Sequence, residues 1–159
     1  MTSGLATLRF MPAKQQTIVS DIHGTLSDFT HRLKFIKGGD KPDWDQFNRE
    51  LGADLPVAGT INTLRLAAQR KWTVVLVTGT PERYHMLVVM WLRRHNVPFD
   101  ALFMRNEGDF RSDVDVKRDM YEKYLKGHNI ELVLEDRDKL VEFWRSVGLP
   151  CLQVGKGEY

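Results

Sequence analysis

Apolar residues along this chain fall into two alternating patterns: short continuous runs rich in β-branched side chains, and longer stretches in which they recur at helical spacing. The first run, Thr17-Ile-Val19, predicts a strand that stops at Asp21, where Gly24-Thr25 turn the chain. Ser27 to Pro56 is polar and irregular. Its Phe29, Phe35, Trp44, Phe47 and Leu51 can pack as one or two short helices, so residues 27–56 read as a small cap insertion over a site rather than a second domain. Val57 to Lys71 predicts a helix through Ile61, Leu64, Leu66 and Ala68. Trp72 to Thr78 is continuously apolar, as expected of a central parallel strand buried on both faces. Thr80-Pro81 is expected to open the next helix, which runs to about His95 and ends at Asn96-Val-Pro98. Phe99 to Met104 predicts a strand, Arg105 to Asp113 a charged loop, Val114 to Lys126 a helix and Ile130 to Leu134 a strand. A helix carrying Leu140, Val141, Phe143 and Trp144 stops at Gly148, and Pro150 to Val154 predicts the last strand. Strand and helix alternating without a long structureless gap predicts an α/β fold: one domain over 1–159, with a parallel sheet covered by helices on both faces.

Composition narrows the class without naming a function. The chain has 159 residues, 42% hydrophobic and 28% charged, which suffices for one ordinary core. A net charge of +2 allows an anionic substrate but does not by itself imply nucleic acid. Cys151 is the single cysteine, which excludes an intramolecular disulfide and a multi-cysteine zinc site and fits a reducing compartment. No apolar run approaches the roughly 18 residues of a membrane span. Residues 1–15 lack a signal-peptide core and read as a loose leader, so the expectation is a cytoplasmic protein with no membrane partner.

The chemistry gathers at the strand ends. Asp21 with His23, Thr78-Gly79-Thr80, Arg105 to Lys117, and Glu135-Asp136 with Asp138 each follow an apolar run. In a parallel sheet all carboxyl ends lie on one edge, so these four clusters converge there. Taken singly, each has an ordinary explanation. Asp21 can cap a turn, Lys117 can be a surface lysine, and Arg111 can pair with Asp109 or Asp113. Phe143 and Trp144 are expected in the core. Trp44 stands open between core of the insertion and a platform for a stacked base.

Asp21-Ile-His-Gly-Thr-Leu26, Val77-Thr-Gly79, Lys117 and Leu134-Glu-Asp136 resemble the four motifs of the haloacid dehalogenase-like (HAD) phosphohydrolases. A closer similarity, to the 3′-phosphatase domain of bacteriophage polynucleotide kinase, rests on Arg105-Asn-Glu-Gly-Asp-Phe-Arg-Ser-Asp-Val-Asp-Val-Lys117 and Glu135-Asp-Arg-Asp-Lys-Leu-Val-Glu-Phe-Trp-Arg145. The ending Val147-Gly-Leu-Pro-Cys-Leu-Gln-Val154 continues it, so the similarity spans about Gln16 to Val154. It implies a Rossmann-like (HAD-like) fold and a phosphohydrolase acting on nucleotide or polynucleotide 3′-phosphate ends. Asp21 would be the nucleophile, forming an aspartyl-phosphate. Mg2+ would be held by Asp21, the backbone carbonyl of His23, Glu135 and Asp136. Thr78 and Lys117 would stabilise the transferring phosphoryl group. Gly79, Thr80, Arg83, Arg105, Arg111 and Asp113 would contact substrate or support those contacts. A phage or bacterial origin, and hence a host cytoplasm, is also implied.

Three positions depart from the family pattern. His23 stands where an aspartate usually protonates the leaving oxygen and later activates water, roles open to imidazole. Thr80 stands where closer relatives carry arginine, and Arg83 is the expected substitute. Glu135 replaces the first aspartate of an acidic pair and lengthens that arm by one methylene. These departures favour a second reading, a non-catalytic protein of this fold that binds a phosphorylated ligand or partner. A third is a phosphomonoesterase for small metabolites. The sequence has no Walker A loop, so the kinase half of the bifunctional relatives is not expected in it.

Overall fold

The structure, a computed structural model, describes residues 15–157. The leader expected over 1–15 therefore lies outside the described residues except for Gln15, whose amide donates to the Lys71 carbonyl at 2.6 Å. Five parallel strands form the sheet: β1 (Gln16–Ser20), β4 (Thr73–Pro81), β5 (Ala101–Arg105), β6 (Asn129–Glu135) and β7 (Cys151–Gln153). Their spatial order is β5-β4-β1-β6-β7, with β1 flanked on both sides. Each crossover carries a helix or helical segment, namely α2 (Ala58–Gln69), α3 (His85–Arg94), α4 (Asp113–Met120) and α5 (Asp138–Ser146). Alternate residues of each strand feed opposite faces. Ile18, Val74 and Leu76 pack with Ile61, Leu64, Val88 and Leu92 on one side. Val19, Val75, Val77 and Val133 pack with Val116, Met120, Val141 and Trp144 on the other. Continuous apolar runs in the sequence thus mean burial on two faces, as expected of parallel strands.

Two expected boundaries move. Thr80-Pro81 does not open a helix: β4 runs on through Pro81, which pairs with Arg105 after a register shift. Proline's fixed φ suits an extended residue as well as a first helical turn, and here Pro81 sits at φ −62°, ψ 148°. A short 3-10 turn, Glu82–Tyr84, then leads into α3. The helix expected to Lys126 is α-helical only to Met120, after which Tyr121–Leu125 widen to a π turn. There Tyr124 stacks on Phe103 at 4.4 Å, and Tyr121 meets Phe143 and Trp144 edge-on.

The segment after β1 closes on itself through a small antiparallel pair, β2 (Ser27–Asp28) with β3 (Leu55–Pro56). Between them lie a 3-10 turn (Thr30–Phe35), α1 (Trp44–Arg49), capped by the Asp43 carboxylate, and a second 3-10 turn (Glu50–Ala53). Its centre is polar. The fully buried Arg32 grips Asp54 with two parallel bonds of 2.6 and 2.7 Å, donates to the Phe47 carbonyl at 2.8 Å and lies over the Phe47 ring. Burial alone would raise the Asp54 carboxyl, but its bonds to His23 and Arg32 outweigh that and hold it below the usual carboxylate range.

Leu64→Ala, at a fully buried site on α2, is expected to cost about 2–5 kcal/mol in denaturant unfolding, whereas Leu66→Ala on the exposed face of that helix should stay within about 0.5 kcal/mol. Asp54→Ala leaves the Arg32 charge buried and unmatched, and should cost about 3–5 kcal/mol. Because Asp54 titrates lower folded than unfolded, its stabilisation is complete above the unfolded value of about 3.9 and is lost as pH falls through the folded one. Unfolding midpoints measured from pH 7 downward should accordingly drop less steeply in acid for Asp54→Ala than for the unaltered chain.

Candidate active site

The carboxyl edge of the sheet brings together residues from four separate stretches. Asp21 leaves β1 and its amide donates to the Leu134 carbonyl of β6 at 3.0 Å, so the two strand ends are tied where their acidic residues begin. Gly24, at φ 92°, then reverses the chain, a conformation that costs glycine little. α4 starts at the Ser112 cap, whose hydroxyl accepts from the Asp115 amide at 3.2 Å, and one turn later points Lys117 back under the sheet edge. The Lys117 ammonium reaches Asp21 Oδ1 at 2.6 Å and Glu135 Oε2 at 2.8 Å, with all three groups buried. Burial would lower the lysine, but the two carboxylates overcome it and hold it above its ordinary range. Burial raises Asp21 well above the usual carboxylate range; Lys117 opposes this, and Glu135 and Asp136 add to it.

Asp21, Glu135 and Asp136 each offer an oxygen within 4.8 Å of the others. Three carboxylates against one ammonium leave a formal charge of two negatives in a buried space. An all-oxygen donor set with that excess fits a hard divalent cation such as magnesium. Glu135 is already engaged on both oxygens, by Lys117 on one and by the Asp136 amide at 3.1 Å on the other. Asp136 Oδ1 accepts from the Thr25 hydroxyl at 3.2 Å.

Around this centre the expected residues sort into two groups. Thr78, Gly79 and Thr80 line the same cleft, and the Thr78 hydroxyl oxygen accepts from the Thr80 amide at 3.2 Å. Gly79 packs close to Asp113: a Cβ there would sit 2.8 Å from Asp113 Oδ1 and displace that carboxylate. Arg105, expected to grip substrate, is a staple of its own loop. It donates to the carbonyls of Gly79, Asp109 and Arg111 at 2.7, 3.0 and 2.8 Å and pairs with Asp113. Asp113 is shared with Arg137 and is not among the carboxylates clustered around Asp21. Arg111 bonds Asp109 and Asp119, holding the Asp109 carboxyl down at about 2. Arg83 pairs with Glu107 at the rim. Trp44, open from the sequence between core and a stacking platform, is 56% exposed and lines the cleft.

His23 is partly buried beside the insertion, its side chain 14% exposed. Its Nδ1 lies 3.2 Å from Arg32 Nη2, 3.3 Å from the Ser27 hydroxyl and 3.5 Å from Asp54. Burial lowers its pKa and Arg32 adds to that, with Asp54 opposing. Arg32, Asp54 and Arg137 were missed as site residues. Arg137 follows the acidic pair directly and was reachable by the same strand-end logic. Nothing local distinguishes Arg32 or Asp54 from surface charges, since their burial comes from pairing with each other across 22 residues.

The cleft has a volume of about 460 Å³ and runs from Asp21 to Trp44 and Phe110. No helix among the described residues is long and apolar enough to cross a membrane.

Comparison with known proteins agrees with this geometry. Residues 15–159 match the family model of the polynucleotide kinase PNKP phosphatase domain. Two chains from structures of the Pnkp1/Rnl/Hen1 complex, the second described as an RNA repair complex, share 25% and 26% identity with TM-scores of 0.76 and 0.77. Both matches cover 94% of this chain but 49% and 45% of those chains, so this chain spans about half their length. A class C acid phosphatase from Bacillus anthracis, at 15% identity, TM-score 0.67 and coverage of 96% of this chain and 71% of that one, shares the fold. The HAD-like fold expected from the sequence is thus the observed one, and the chain belongs to the polynucleotide kinase PNKP phosphatase domain family, a branch of the HAD phosphatases.

Proposed function

We propose that this protein is a magnesium-dependent phosphohydrolase that removes phosphate from nucleotide or polynucleotide 3′ ends through an aspartyl-phosphate. The observation that carries this reading is Asp21 at the end of β1, held by the buried Lys117 ammonium at 2.6 Å beside Glu135 and Asp136. A binding protein has no need of a carboxylate, a desolvated lysine and an acidic cluster assembled on one edge.

Asp21 attacks phosphorus through the oxygen not held by Lys117, and the bond to the ester oxygen breaks. Lys117 stays on the first oxygen and offers positive charge where charge builds on the phosphoryl group. Glu135 fixes that ammonium and is best read as its positioning residue. Thr78 and the Gly79 amide would meet the phosphoryl oxygens, while the Thr80 amide is held by the Thr78 hydroxyl. Asp21 and Asp136, with the backbone carbonyl of His23, would hold magnesium, which when bound supplies charge that lets an anionic phosphate approach a carboxylate. His23 faces the leaving oxygen and later the attacking water, and the Arg32–Asp54 pair orients its ring. Arg105 and Arg137 act through Asp113, which packs against Gly79, so they shape the phosphate loop rather than clamp the substrate. The PNKP family membership supports the nucleic-acid end as substrate over a small metabolite.

Phosphate release from a 3′-phosphorylated oligonucleotide with magnesium is the direct test. Asp21→Asn should lose at least about a thousandfold in kcat, and Lys117→Ala about a hundred- to thousandfold. His23→Asp should raise kcat, since it restores a carboxyl acid at that point. Turnover that survives Asp21→Asn would remove the aspartyl-phosphate from the reading. Chelation with EDTA should abolish release and added magnesium restore it.

A further inference from the structure

The mouth of the cleft carries two aromatic side chains for which the fold itself has little use. Phe110 is 96% exposed, and Trp44 is 56% exposed; both line the cavity that holds Asp21. Neither is loosely presented. Arg105 bonds the carbonyls on either side of Phe110, those of Asp109 and Arg111, at 3.0 and 2.8 Å. Trp44 is the outermost ring of a chain that passes edge-to-face to Phe47 at 5.6 Å, and Phe47 in turn lies under the Arg32 guanidinium at 4.3 Å. Asp45, the next residue, accepts from the Tyr84 hydroxyl. Polar bonds thus fix the backbone that carries Phe110, and ring packing on Phe47 holds Trp44, at one opening.

The charges at that opening are matched in pairs. Arg83 pairs with Glu107, Arg111 with Asp109 and Asp119, and Arg105 and Arg137 share Asp113. A track for a long polyanion needs unmatched cations spaced along it. Here ring faces, rather than spare charge, are what the rim offers. The cavity, about 460 Å³, is of the size that takes a small organic ligand.

We propose that the cleft reads one terminal nucleotide: Trp44 and Phe110 hold its base by stacking while its phosphate lies at Asp21, and nucleotides further along the strand make little contact. This rests on the phosphohydrolase reading above. Stacking accepts every base, because each has a π face, so the subsite selects for the presence of a base and not for its identity.

The test compares three substrates with the full chain and magnesium: a nucleoside 3′-monophosphate, ribose 3-phosphate lacking a base, and a 3′-phosphorylated single-stranded oligonucleotide. The base-bearing mononucleotide should exceed the abasic sugar in kcat/KM by tenfold or more, mostly through KM. Trp44→Ala and Phe110→Ala should each shrink that ratio by about fivefold or more, the lower end of what one stacked base contributes. Trp44→Phe and Phe110→Tyr should keep it. KM for the oligonucleotide should lie within a few-fold of the mononucleotide, with a logarithmic salt slope of about −1. Equal kcat/KM with and without a base, or alanine variants that leave the ratio unmoved, would overturn the proposal and leave the rings to a protein partner. An oligonucleotide KM far below the mononucleotide value, with a steep salt slope, would overturn the one-nucleotide limit. Should no substrate release phosphate, the phosphohydrolase reading fails by itself. Binding of the same nucleotide and sugar phosphate, followed by tryptophan fluorescence, then decides the subsite: base-dependent quenching lost in Trp44→Ala supports it, and its absence overturns it.

Discussion

A lysine ammonium shut away from water is tolerable only where carboxylates meet it, and Lys117 meets two. Asp21 comes from the end of β1, Glu135 from the end of β6 and Lys117 from the first turns of α4, so one ion cluster ties three elements distant in sequence. Removing Lys117 would leave two buried carboxylates without their cation, an error costing about 3–5 kcal/mol. The sheet order serves this cluster: β1 and β6 are neighbours, so their carboxyl ends deliver Asp21, Glu135 and Asp136 to one point. The same crowding leaves an excess of negative charge there, which makes the centre receptive to a divalent cation.

A second buried ion pair repeats this logic inside the insertion. Arg32 and Asp54 are buried together inside the segment between β1 and α2, and their partners extend to His23 in one direction and Phe47 in the other. The turn that carries the histidine is thereby joined to the segment that carries Trp44. Position 23 and the cleft mouth are mechanically one unit, since a shift of Arg32 would disturb both. This gives the departure from the family pattern at His23 a structural context. The imidazole sits beside a guanidinium and a carboxylate bonded to each other, and partial burial with the nearby Arg32 charge holds its pKa below the ordinary histidine value.

The phosphate loop is shaped from behind rather than by a clamp. Thr80 is small and buried beside Thr78, and the guanidinium groups nearest Gly79 arrive from Arg105 and, through Asp113, from Arg137. Asp113 approaches so closely that a side chain at position 79 would push its carboxylate aside. Cationic side chains around the site thus hold backbone and carboxylates in place, and few are left uncommitted for a substrate.

Much of this was legible in the chain. Continuous apolar runs at Ile18, Leu76 and Val133 mark strands buried on two faces, because only residues covered from both sides can dispense with polar alternation. Polar residues following such runs must gather at one edge of a parallel sheet, which brought Asp21, Thr78, Lys117, Glu135 and Asp136 together in advance. The sequence could not say where β4 ends, since Pro81 suits a strand and a helix equally and pairing with Arg105 decided it. Nor could it separate Arg32 and Asp54 from surface charges, or show that Arg105 is occupied and Trp44 exposed. Local pattern determines which residues are buried by their own element. Burial of a charge, or exposure of a ring, is determined by which distant partner arrives, and only the tertiary structure supplies that partner.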